Sequence, residues 1–223
     1  MTFEPVLLLS MWAAGLAVVA AVVAWWDIVG RGYLWLTGAT AAVIGLAAAF
    51  DSTQGIIAVV VTLAATALAG RRAAAGALFA VGGLAFLWVA ADIDGWVAAI
   101  AGAAALGGIT GEMLLGHWFL IDPTLPRWAL RRLDVAGGLG VVAEIVIAGV
   151  RGTLRAPTDL FGFAYLALAV TSVLLAVGVW YSLREKGYEG VMAATGLSYL
   201  ATLTVLAVTF LGRAPVEELL GIG

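Results

Sequence analysis

The stretch WVAAIAGAAALGGITGEMLLGHWFLI, Trp96–Ile121, decides what kind of chain this is. It is longer than the roughly 20 helical residues that cross a hydrocarbon core. Only Glu112 and His117, the one histidine of the chain, interrupt its apolar character. The rest of the 223 residues follows suit: 64% are hydrophobic, 11% are charged, and the mean hydropathy is +1.10. Such a composition places the chain in a bilayer. The expected fold is an all-α integral membrane protein, a polytopic bundle of about eight transmembrane helices in one domain over residues 1–223. Both termini are expected to be extracytoplasmic.

Working outward from Trp96–Ile121, seven further segments satisfy or approach the spanning length: Val6–Trp26, Tyr33–Phe50, Gly55–Gly70, Ala73–Ala91, Leu133–Val150, Leu160–Ser182 and Val191–Leu211. The third, Gly55–Gly70, is short enough to be partly re-entrant. Clusters of Gly, Pro or charge separate every pair. Orientation follows from the loop cations. Arg31, Arg71, Arg72, Arg127, Arg131, Arg132, Arg184 and Lys186 fall in alternate loops, against Arg151, Arg155 and Arg213 on the other side. Eight against three puts the first group in the cytoplasm. The expected location is the cytoplasmic membrane of a bacterium or archaeon. No Lys or Arg precedes the first apolar run, so that run reads as a retained helix rather than a secretory signal. Most of the nine tryptophans lie near segment boundaries, where amphipathic rings favour the headgroup region; Trp12 and Trp88 read as deeper.

The composition also excludes functions. Without cysteine there is no disulfide, iron–sulfur cluster, covalent haem or thiol catalysis. A single histidine removes bis-histidine haem and HExxH zinc sites within this chain alone. A metal held by Glu112, Glu144 and His117 would need further ligands, so no metal site is assigned and the cofactor is unknown. No basic block of the nucleic-acid-binding kind is present, so the partners expected are the lipid bilayer and, on one reading, other membrane subunits.

Charge inside a spanning segment is costly and marks a functional site by default. Glu112 and Glu144 lie in the fifth and sixth segments, which are joined by Asp122-Pro123-Thr124-Leu125-Pro126-Arg127 and should pack as antiparallel neighbours. Taking the sixth segment from Leu133 sets both acids near mid-membrane, at comparable depth. Each shares a helical face with small residues: Ala101, Ala105, Gly108 and Gly116 around Glu112, and Gly137, Gly140 and Ala148 around Glu144. Small residues let membrane helices approach closely. Two carboxylates meeting there could not both ionise and would share a proton. His117, five residues on, is placed to relay protons or hold a polar headgroup. Arg151 extends the Glu144 face, and an ion pair with Asp159 is its plain structural reading. On the last segment Thr195, Ser198, Tyr199, Thr202 and Thr209 form a hydroxyl stripe, a polar path or a set of groups bonded to carbonyls one turn back.

Three functions fit these residues. The favoured one is a small proton-coupled transporter or permease with its carboxylate–His site between the fifth and sixth segments. The second is a quinone-binding or redox-linked subunit of a larger complex, with Trp118 and Phe119 beside His117. The third is a structural or assembly protein whose buried acids only specify packing.

Overall fold

A computed structural model describes residues 5–152 and 160–213 of the protein. These residues form helices and connections, with no strand among them: α1 (Pro5–Trp26), α2 (Arg31–Ile44), α3 (Leu46–Asp51), α4 (Thr53–Ala67), α5 (Arg72–Asp94), α6 (Trp96–Ile121), α7 (Arg127–Arg151), α8 (Leu160–Ser182) and α9 (Tyr188–Leu211). Six of them, α1 and α5 to α9, are long and apolar enough to cross a membrane. The protein is therefore a multi-pass, membrane-type helical bundle.

The second expected segment is broken. Gly45 ends α2 and starts α3, and the Phe86 ring of α5 lies where a side chain at Gly45 would project. Ser52 then caps α4, its hydroxyl accepting the Gly55 N–H at 3.1 Å. The α4 helix runs for only 15 residues, Thr53–Ala67, about 22 Å at the usual helical rise.

Helix α6 is the centre of the bundle, packed between α1 and α7 with α9 beside it. Glycine makes the close approach possible. A Cβ added at Gly108 would stand 2.5 Å from Gly137 Cα, and one at Gly107 would stand 2.3 Å from Gly15 Cα. The α6–α7 register follows from these contacts: Gly108 lies opposite Gly137, and Gly140 lies opposite Ala104 and Ala105. At the α5–α6 junction a single residue reverses the chain. Gly95 holds φ at +83°, a conformation that a side chain disfavours.

The connections sort to two ends. At one end Arg72 pairs with Asp27, which takes a left-handed conformation to close α1. Trp26 meets Trp128 edge-on at 4.9 Å, and Arg127 donates to the Glu185, Lys186 and Gly187 carbonyls. This arginine-rich end gathers the α1–α2, α4–α5, α6–α7 and α8–α9 connections. The opposite end carries Asp94, Arg151 and Arg213.

One sequence expectation is corrected here. The sixth segment does not start at Leu133. Helix α7 begins at Arg127, directly after Pro126, because Arg127, Arg131 and Arg132 ride on its first two turns rather than in a loop. Glu144 is thus seventeen residues into its helix, not eleven. Arg151 pairs with Asp94 at 2.8 Å; its expected partner Asp159, like Arg155, lies outside the described residues.

Candidate functional site

Glu112 and Glu144 occupy two different sites. By the α6–α7 register, Glu112 lies level with Leu133 and Glu144 level with Ala101, eleven residues apart along α6, or about 16 Å. The expected comparable depth fails because it rested on the late start given to α7.

Glu144, 4% exposed, is matched by Arg213, whose side chain is 5% exposed. The guanidinium grips the carboxylate at two points: Nη2 donates to Oε1 at 2.8 Å, and Nη1 donates to Oε2. Its Nε donates to Asp94 Oδ2 at 2.8 Å. Remaining donors reach the Ala98 carbonyl at 2.9 Å and the Thr209 carbonyl at 3.3 Å. All five N–H groups of Arg213 are thereby used. Asp94 also accepts from Arg151, so two cations balance two anions. This closed network joins the ends of α5, α6, α7 and α9. Sequence reasoning counted Arg213 only as a loop charge.

Glu112 is 1% exposed and has no such partner. The Ser198 hydroxyl of α9 donates to Oε2, while Oε1 is buried without a hydrogen bond. Asp134 of α7 is 3% exposed, within electrostatic reach, and its Oδ1 is also buried without a partner. Tyr33 of α2, fully buried, lies within electrostatic reach of Glu112. No ion pair involves Glu112 or Asp134 among the described residues. Two acids at one depth, without a cation, face a large cost if both ionise. The signal for Asp134 was present in the sequence, as an acid just inside an apolar segment, and was passed over beside the two glutamates.

The other candidates divide. Ser198 joins Glu112. Thr195 and Thr202 each donate to the carbonyl one turn back, at 2.8 and 2.9 Å, which is the structural reading of the stripe, while the Ser198 Oγ that meets Glu112 also lies 2.8 Å from the Ala194 carbonyl. Thr209 Oγ is buried without a partner beside the Arg213 network. His117 is exposed, with Nδ1 3.5 Å from the Tyr199 hydroxyl at the α6–α9 surface. Trp118 turns instead to α2, edge-on to Tyr33 at 6.2 Å. Of the His117, Trp118 and Phe119 set of the quinone reading, His117 and Trp118 therefore point to different helices, and Phe119 is buried with Arg127 over its ring. Trp12 is anchored in the bundle by donating to Thr110 at 3.0 Å, whereas Trp88 is exposed beside Trp96. Glu112, Glu144 and His117 do not converge, and no cluster of three metal-ligating acids or histidines occurs among the described residues.

No family model, curated protein or solved structure matches this chain.

Proposed function

We propose that the protein is a proton-coupled transporter whose proton site is the Glu112–Asp134 pair, steadied by Ser198. The contrast between its two buried acidic sites carries this reading. Glu144 has a guanidinium that meets it donor for donor. Glu112 and Asp134 sit in low dielectric without a cation, each with an oxygen lacking a partner. A pair holding one proton avoids a double charge there and supplies the missing donor. Ser198 fixes Oε2, so Oε1 is the atom left to take the proton or a polar ligand. The site lies in the half of the bundle nearer the arginine-rich end, which the excess of loop cations assigns to the cytoplasm.

The test uses purified protein in liposomes loaded with a pH-sensitive dye, challenged in turn with inorganic cations, amino acids and sugars. At least one solute class drives proton movement in the wild type, and Glu112→Gln abolishes it. A signal that survives in Glu112→Gln, or none with any class, counts against transport at this site.

The same reading takes α2–α3 and α4 as a hairpin that completes eight crossings. Its support is that Arg31 and Gly70, at the two feet of the hairpin, line one cavity at the arginine-rich end. Gln54 is exposed near its tip. In oriented membranes, Gln54→Cys and Asp92→Cys react with an impermeant outside thiol reagent and Thr124→Cys does not. Reaction at Thr124 would reverse the orientation. Silence at Gln54 alone would reduce the crossings to six.

A further inference from the structure

Where α7 and α8 meet the arginine-rich end, two cavities adjoin. The first, about 300 Å³, is lined by Trp128, Arg131, Arg132 and Trp180. The second, about 260 Å³, shares Val135 and Trp180 with it and runs on between Leu139 and Val142 of α7 and Val173 and Val177 of α8. Leu139 and Val177 are exposed, so this groove opens toward the bilayer side of the bundle. The cleft is cationic and aromatic at its mouth and, beyond Asp134, apolar along its length.

The cations at the mouth are not spent elsewhere. Neither Arg131, Arg132 nor Arg184 makes an ion pair among the described residues. Arg132 lies over the Trp128 ring at 4.7 Å, and Arg184 lies over Trp180 at 5.3 Å. Stacking holds both guanidinium planes at the boundary while leaving their N–H edges to donate to a phosphate. One acid, Asp134, lines the groove just beyond Arg131; it is 3% exposed and makes no ion pair with either arginine among the described residues. Gly138 keeps the groove open: a Cβ there meets only Ala176, at 3.8 Å.

We infer that this cleft is a binding site for an anionic phospholipid, its phosphodiester held by Arg131 and Arg132 between Trp128 and Trp180, and one acyl chain laid along the α7–α8 groove. Charge complementarity selects the headgroup, and basic pockets between spanning helices on the cytoplasmic side are suited to such lipids. The groove shares Asp134 with the proposed proton site, while neither Glu112 nor Ser198 lines it, and lipid retention is read without any proton signal.

Native mass spectrometry of the detergent-purified protein, with phosphatidylglycerol and phosphatidylcholine of matched chains, tests it. The protein retains phosphatidylglycerol preferentially, and the double variant Arg131→Ala/Arg132→Ala loses that preference, roughly thirtyfold for two boundary cations. Gly138→Leu fills the groove without changing charge and lowers retention of the same lipid. Thermal unfolding of each variant confirms that it is folded. Soluble glycerol phosphate in excess leaves the lipid bound, because it lacks the chain. Equal retention of the two lipids, or a preference unchanged in the arginine variant, overturns the proposal. So does displacement by glycerol phosphate, which would mark a free-phosphate site. A dimer abolished by Gly138→Leu, without lipid preference, would assign the groove to a second copy of the chain instead.

Discussion

Replacing Arg213 by Met should be the most destabilising single change at the Asp94–Arg151 end of the bundle. The substitution keeps volume but leaves Glu144 buried without a cation, and halves the positive charge facing Asp94. Breaking a buried pair from one side costs about 3–5 kcal/mol, because the remaining charge is uncompensated. In a chain of this size that corresponds to a fall in Tm of at least about 6 °C. The double variant Arg213→Met/Glu144→Met should recover much of the loss, since Asp94 keeps Arg151. Thermal unfolding in mild detergent reads both. An Arg213→Met protein within about 1 kcal/mol of the wild type would show that the network does not hold the four helices together.

Glu112→Gln should do the opposite: it spares the fold and removes function. Gln retains an oxygen to accept the Ser198 hydroxyl, and no cation is stranded by the change. Stability should therefore stay within about 1 kcal/mol of wild type. The solute-driven proton signal should fall at least about a hundredfold, the low end of what removing a positioned proton acceptor costs. Ser198→Ala gives the intermediate case. Its hydroxyl also bonds the Ala194 carbonyl, so its loss leaves the Glu112 carboxyl loosely held while the proton-binding atoms remain. A Glu112→Gln protein that unfolds readily while Arg213→Met does not would exchange the roles assigned to the two sites.

How much of this was legible in the chain depends on the range of the interaction. Helix α6 runs over Trp96–Ile121 as read, because Gly95 and the Asp122-Pro123 step are local signals that stop a helix. Helix α7 was misread at its start for a local reason as well. Arginines at a helix end look like loop, yet their long stems let the charge reach the boundary from a helical position. That error of six residues carried Glu144 to the wrong depth and created a two-glutamate site. Glu112 as an unusual residue was legible from its apolar surroundings. Its partner was not, since Ser198 lies 86 residues away and Asp134 stood in the shadow of Glu144. The Arg213–Glu144 pair spans 69 residues and depends on how the α7 and α9 ends meet, which no local pattern encodes. The carboxylate–His pairing failed on geometry already present in the sequence: five residues turn His117 about 140° away from Glu112, and the structure sets it against Tyr199.

The central claim is that the Glu112–Asp134 pair holds an exchangeable proton at neutral pH. Infrared difference spectroscopy of the protein in lipid, scanned across pH, tests it directly. The account predicts a carboxylic-acid C=O band near neutrality that shifts in deuterated water, disappears as pH rises, and is missing from Glu112→Gln or Asp134→Asn. A spectrum with no protonated-carboxyl band at neutral pH, or a band unchanged in both variants, would contradict it.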